Sequence, residues 1–388
     1  MESFDVAVVG ARAGGAAVAM LLARQGLRVL LADRDRYGAD TLSTHALMRG
    51  GVLLLSRWGL LDRIVAAGTP PVRQTRFHYG DETVTVSIRP RLGVEALYAP
   101  RRSLLDALLV DAAAAAGAEV RFGVTVTGLL REDSGRVAGV TGHDRRGARV
   151  SVRARLTVGA DGRRSTVARA AGARTLRTGT GAGAIVYGYW TGLEASGYEW
   201  FYRPGHTAGM IPTNDGQVCV FTGMPAALFR AAAGERDDGG GAGGGLRDRY
   251  HRMLAAATNG AGGRLATAGP PLRLRTWMGR PSFVREAQGP GWALVGDAGS
   301  FLDPLSSHGL TDALRDAERL AREVAAGGPE SPSGAFAAER DRVIGPMYDA
   351  VDRIAAYGWD LTQVRRHLLE LNSAMSAEVE MISAVGAG

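Results

Sequence analysis

The sequence predicts an α/β fold: a parallel sheet flanked by helices, interleaved with an antiparallel-sheet domain and followed by carboxyl-terminal helices. Three observations predict it. Short glycine-and-aspartate fragments recur after apolar β-type runs: Gly10-Ala-Arg-Ala-Gly14-Gly15 after Val6 to Val9, Gly159-Ala-Asp161-Gly162 after Leu156 to Val158, and Gly296-Asp297 after Trp292 to Val295. Two stretches between them, Arg73 to Ile88 and Ala184 to Thr222, are rich in Val, Thr and aromatic residues that alternate as antiparallel strands do. Phe336 to Ala384 reads as helices packed against the outside of the core.

The first fragment opens a βαβ unit. Phe4 to Val9 is a buried strand, the glycine turn follows, Ala16 to Gln25 has helical periodicity, Gly26 ends the helix, and Arg28 to Ala32 is the second strand. Asp33 then stands 23 residues beyond Gly10, close to the spacing expected of a carboxylate that accepts hydrogen bonds from an adenosine ribose. The amino terminus of the helix, with Gly10, Ala13, Gly14 and Gly15, offers unpaired N–H groups to a pyrophosphate. Arg12 replaces the middle glycine of the usual fingerprint, so it must either tolerate the turn or add its guanidinium to the phosphate. Arg34 and Thr44 are further candidate contacts to the nucleotide. The other two fragments bring small and acidic residues to strand ends, the edge of an open α/β sheet where nucleotides bind.

The later fragments lie in longer motifs: Val158-Gly-Ala-Asp161-Gly162-Arg-Arg-Ser165, and Gly296-Asp297-Ala-Gly-Ser-Phe-Leu-Asp303-Pro304-Leu-Ser-Ser-His308-Gly309-Leu310-Thr311-Asp312. On these motifs, from about residue 4 to 325, the chain resembles FAD-dependent monooxygenases of the para-hydroxybenzoate hydroxylase type, which are related to geranylgeranyl reductases and flavin halogenases. The resemblance implies a Rossmann-like FAD-binding domain. It implies that Asp297 binds the ribitol, that Asp161 lies near the pyrophosphate, and that Pro304 and Gly309 to Thr311 lie beside the isoalloxazine. Arg102, in Pro100-Arg-Arg-Ser-Leu-Leu105-Asp, matches an arginine that contacts the cofactor, and Val126 matches the strand position whose backbone meets adenine. Ala313 to Val324 is strongly helix-forming, and its amino terminus would face the flavin edge where reduction develops negative charge.

The expected organisation is an FAD-binding domain from residues 1–70, 100–175 and 285–325, a substrate domain from 71–99 and 176–284, and carboxyl-terminal helices over 326–388. Gly234 to Gly245 is a low-complexity stretch expected to be a surface loop, and no internal repeat is present. At 388 residues and 46% apolar content the chain can bury a large core. No run approaches the ~20 apolar residues of a membrane helix, and a first strand at Phe4 leaves no room for a signal peptide, so a soluble cytoplasmic protein is expected. Cys219 is alone and lies in an apolar run, which suits a core thiol in a reducing compartment.

Net charge is +7, and all 46 basic side chains are arginine, spread along the chain in a pattern that fits a G+C-rich coding sequence. Pairs such as Arg145-Arg146 and Arg163-Arg164 form neither long basic tracts nor aromatic platforms, so no nucleic-acid partner is expected. The lack of lysine also bears on chemistry. Flavin halogenases of similar fold pass hypohalous acid through an essential lysine, which this chain does not have.

The resemblance implies that FAD is reduced by NAD(P)H, that molecular oxygen forms a C4a-hydroperoxide, and that shielding from water lets it hydroxylate an electron-rich aromatic or polyketide-like molecule of secondary metabolism. A flavin-dependent reductase or dehydrogenase of the geranylgeranyl reductase kind uses the same motifs. A third reading is a flavoprotein whose FAD is structural and which binds or cyclises its substrate without redox turnover. His45, in Thr41-Leu-Ser-Thr44-His45, is the candidate catalytic residue, on a segment expected to run back towards the flavin. Tyr187, Tyr189, Met210 and His308 are candidates for the substrate pocket, with Trp190 and Trp277 as further aromatic neighbours and a hydrophobic substrate as the expected ligand.

Overall fold

The computed structural model describes residues 1–234, 245–259, 262–330 and 334–384, so most of the low-complexity stretch Gly234 to Gly245 lies outside the described residues. An eight-stranded sheet carries the βα alternation. Its centre is parallel, in the order β5 (Glu119–Phe122), β2 (Val29–Asp33), β1 (Glu2–Val9), β8 (Arg149–Gly159), β17 (Trp292–Leu294). The hairpin of β6 (Thr125–Arg131) and β7 (Val137–His143) pairs with the early half of β8, and β16 (Gln288–Gly289) closes the far edge. β2 is buried at every residue, as a strand covered on both faces must be.

A seven-stranded sheet forms the second layer, in the order β14 (Arg275–Trp277), β10 (Gly183–Thr191), β13 (Gln217–Pro225), β12 (His206–Pro212), β11 (Tyr198–Arg203), β3 (Gln74–Tyr79), β4 (Glu82–Ser87). Its ladders are antiparallel with one exception, the parallel pairing of β11 with β3, which joins the two separate stretches of chain. A small sheet of β9 (Thr175–Thr178), β15 (Phe283–Arg285) and β18 (Ser300–Phe301) lies where the chain passes between the large sheets.

Helix α1 (Ala13–Arg24) begins three residues before the periodicity predicts, because the glycine turn itself enters the helix. Its small residues allow close approach: Gly14 would place a β-carbon 3.3 Å from Ala313 Cβ on α9 (Gly309–Gly327). Helices α2 (Arg49–Arg57), α3 (Leu61–Ala66) and α4 (Arg102–Ala115) cover the same face, and α5 (Thr166–Ala171) follows β8. Helices α6 (Ala226–Gly234), α7 (Leu246–Thr258) and α8 (Gly262–Ala266) pack on the outer face of the seven-stranded sheet against Trp190, Phe201 and Met210.

The carboxyl-terminal helices each pack one face into the core. α10 (Ala335–Ala355) buries Phe336, Ile344, Met347 and Val351 in the main core, and α11 (Leu361–Ala384) buries Val364, Leu371 and Ile382 there. At roughly 1.5–3 kcal/mol for each such side chain, the tail is part of the fold. Among the described residues no helix is long and apolar enough to cross a membrane.

Candidate cofactor and active site

Four strand ends meet at one edge. Gly10 N–H donates to Ala32 O, Ala160 N–H to Val9 O and Val295 N–H to Gly159 O, so the three glycine fragments lie side by side beyond β1, β8 and β17. Their packing requires glycine. Gly10 has φ +105° and would place a β-carbon 2.4 Å from Ala160 O, and Gly15 would place one 1.9 Å from Gly10 O. Asp33 ends β2 buried, and its two oxygens accept from Ala11 N–H at 2.6 Å and Asp35 N–H at 2.7 Å. A carboxylate oriented this way keeps lone pairs for the hydroxyls of a ribose.

Arg12 adopts φ −90°, so it tolerates the turn, and its guanidinium turns sideways to Asp35 at 2.9 Å, Asp106 at 3.4 Å and the carbonyl of Ala39. Asp106 also holds Arg102, through two hydrogen bonds of 3.1 and 3.0 Å. One acidic residue on α4 thus holds both candidate cofactor-contacting arginines. Arg34 is exposed just past Asp33. Val126 is paired opposite Gly142 in the β6–β7 ladder, and Val124 is the residue that bonds to Asp33 O. Asp161 lies against Gly10 through its backbone, but its Oδ2 accepts from Thr166 N–H at 2.6 Å and caps α5.

The other end of the site is the start of α9. Gly309 is exposed, and a β-carbon there would lie 4.0 Å from Asp297 Oδ1, so the Asp297 carboxylate faces the first turn of the helix. Burial pushes Asp297 up to about 6, against the pull of Arg163 and Arg102. Pro304 and Leu310 are half-buried, whereas Thr311 is fully buried against Gly50 and Gly51 of α2. The oriented Asp33, the glycine cradle and the Asp297 carboxylate beside an exposed helix amino terminus fit the ribose, the pyrophosphate and the ribitol of one dinucleotide.

His308, the residue before that helix, is buried and neither solvent-facing nor on the aromatic wall. Its Nε2 lies 2.6 Å from Glu378 on α11, in a cluster with Asp312, Arg315 and Asp316. Burial alone would lower its pKa, but Glu378 and Asp312 raise it. Glu378 resists the opposite effect of burial and is held at about 2 by His308 and Arg315.

A polar cluster lies on the inner face of β10. His45 is fully buried in the left-handed region, with φ 71°, and its Nε2 is 2.6 Å from Tyr189 Oη. The Tyr187 hydroxyl accepts from Ser43 N–H at 3.1 Å, and Thr44 is half-buried between Ser43 and His45. Arg101 lies 3.6 Å over the Tyr189 ring, and Arg275 pairs with Asp40 at 2.8 Å. Trp277 shares this face, since it pairs directly with Ile185, and Arg163 stacks on it at 3.9 Å. Burial, with help from Arg101, Arg102 and Arg275, holds the pKa of His45 well below its ordinary value, and burial raises those of Tyr189 and, to about 12, Tyr187.

Met210 and Trp190 lie on the opposite face, among the helices of the outer layer, and Trp190 donates to Tyr250 Oη at 2.8 Å. Cys219 is a buried core thiol, pushed up to about 12 by burial. Sequence reasoning had not singled out Arg101, Asp40, Arg163, Arg275, Asp106 or Glu378 as site residues. Arg101 and Arg163 stand inside or beside the quoted motifs, which is the signal that could have found them.

The FAD binding domain model matches residues 3–331. The chain belongs to the FAD binding domain family. Within this family it is 29% identical over 347 residues to the menaquinone reductase of Mycolicibacterium smegmatis, covering 86% of this chain and 79% of that one. It is 27% identical over 324 residues to the digeranylgeranylglycerophospholipid reductase of Methanocella arvoryzae, covering 81% and 75%. The flavin-dependent brominase Bmp2 shares the fold, with a TM-score of 0.80 at 18% identity over 98% of this chain and 93% of that one. FAD is therefore the dinucleotide whose groups Asp33, the glycine turn and Asp297 would hold.

Proposed function

We propose that this protein is an FAD-dependent reductase that adds hydrogen across a conjugated bond of an apolar substrate lying against Tyr187, Tyr189 and Trp277. The observation that carries the reading is the 2.6 Å contact between Tyr189 Oη and His45 Nε2 in a buried aromatic wall. Bound FAD supplies two-electron redox chemistry, with NAD(P)H as the reductant in this reading. The chain's own task is the proton. Tyr189 is held protonated and His45 neutral, so Tyr189 gives its proton to the substrate carbon and recovers one from Nε2. Water that enters as the product leaves supplies the replacement proton at His45 Nδ1, which has no partner in the fold, so the imidazole stays neutral as its other tautomer. The reductases among the relatives support the same reading.

A second reading is hydroxylation of an aromatic ring with molecular oxygen. The edge-to-face pair of Tyr187 and Tyr189, 6.0 Å apart, beside Trp277 favours a planar ligand, and neutral His45 offers Nδ1 to a phenolic proton. One experiment separates the two. The FAD-loaded protein is incubated with NAD(P)H and candidate isoprenoid quinones or phenols, with and without oxygen, and the product mass is measured. A gain of two hydrogens under strict anaerobiosis supports reduction; a gain of one oxygen atom that requires oxygen replaces it with hydroxylation.

A further inference from the structure

The net charge of the chain is concentrated in one segment. Residues 226–285 contain ten arginines against four carboxylates, and so carry +6 of the chain's +7. The described helices of this segment supply the outer layer of the seven-stranded sheet, and hydrogen bonds join them to residues 271–278. Arg230 donates to Met278 O at 3.1 Å, Arg247 to Pro271 O at 3.0 Å and Arg249 to Ala232 O at 2.8 Å, so α6, α7 and residues 271–278 form one continuous surface.

Two kinds of side chain project from that surface. Leu228, Leu246, Leu272 and Met278 are exposed, Leu272 by 94%. Around them, Arg230, Arg247, Arg252, Arg273 and Arg280 are exposed, and among the described residues none is ion-paired. Apolar side chains rising from a field of guanidiniums that have no carboxylate partner among the described residues match the boundary of a bilayer, where acyl chains lie beneath anionic headgroups. A nucleic acid would use the charge but gain nothing from exposed leucine, and among the described residues this face exposes no aromatic ring for base stacking.

We propose that the surface built from α6, α7 and residues 271–278 docks the protein on an anionic lipid membrane. The edge strand β14 connects this surface to the site. Arg275 and Trp277 face the aromatic wall, while Leu272 and Met278 at the two ends of the same segment face outward. A membrane-held apolar compound would therefore meet the protein beside the edge of the wall.

The test is flotation of the purified full chain with vesicles of equal phosphatidylglycerol and phosphatidylcholine, against phosphatidylcholine alone, at about 0.1 M salt. The chain is expected to float with the anionic vesicles only. Arg273→Gln should weaken partitioning about fivefold and Leu272→Asp about tenfold. Leu369→Asp, a control at an exposed position on α11, should leave it unchanged. Circular dichroism and flavin absorption confirm that each variant is folded. Equal behaviour with both vesicle types, or anionic binding that Leu272→Asp does not weaken, overturns the proposal. So does double-stranded DNA that displaces the vesicles and binds the Leu272→Asp variant as tightly as the parent.

Discussion

The hydroxyl of Tyr189 lies 2.6 Å from Nε2 of His45, and the two rings stack with centroids 5.7 Å apart. Removing the tyrosine proton while keeping the ring isolates its chemical role. Tyr189→Phe is expected to lower kcat by about 100-fold or more, the usual size of a lost general acid, with KM and flavin absorption little changed. Steady-state kinetics with the reactive substrate checks this; an unchanged kcat would remove Tyr189 from the chemistry.

Asp297 gives a prediction on cofactor retention and one on pH. Asp297→Ala should release FAD on gel filtration, with the circular dichroism spectrum preserved. In the unliganded protein a carboxyl raised from 3.8 to about 6 favours the folded state most below pH 4, and that contribution falls as pH rises through about 6. The loss is on the order of 3 kcal/mol. Urea unfolding of the apoprotein at pH 5 and pH 8 should show a smaller drop for Asp297→Asn than for the parent.

Glu378 pairs with both His308 and Arg315 in a fully buried cluster, so Glu378→Gln removes the carboxylate from His308 and one of the three that hold Arg315. The expected cost is about 3–5 kcal/mol in chemical denaturation. The pH dependence has two arms. Glu378, depressed to about 2, contributes above pH 4.5 and loses that contribution as pH falls through its folded value. His308, raised above 6.5, contributes below that pH and loses its part as pH rises through its own folded value. The parent should therefore show a stability maximum between these limits that Glu378→Gln flattens.

Gly15→Ala places a methyl group 1.9 Å from Gly10 O. The turn must open to admit it, which moves Ala11 N–H away from Asp33. FAD titration followed by fluorescence quenching should show affinity lower by at least about tenfold. Gly26→Ala meets no neighbour within 4 Å and should keep the affinity, although its φ of +82° makes it a modest destabilisation.

The parts of the fold that follow from local chemistry were legible in the sequence. The apolar runs, the glycine turns and Asp33 identify β1, α1 and β2, and three separate fragments predict one convergent edge because each follows a strand. Which face of the second sheet a residue occupies was not legible. Met210 pairs across β13 through Val220 with Gly188, one residue out of step with Tyr187 and Tyr189, and a single step reverses the face. The contacts of Arg101 with Tyr189 and of Arg163 with Trp277 join distant stretches, and only the assembled layers bring them together. His308 drew a pocket reading because its partner Glu378 stands 70 positions away, in a helix whose composition gave no sign of an inward carboxylate.

That separation has a consequence for biosynthesis. While the chain emerges from the ribosome, the first turn of α9 is made long before α11 arrives to quench its cations. A nascent polypeptide halted between them would hold the residues of the nucleotide cradle and of both large sheets, yet leave His308 and Arg315 without the Glu378 carboxylate that pairs with them.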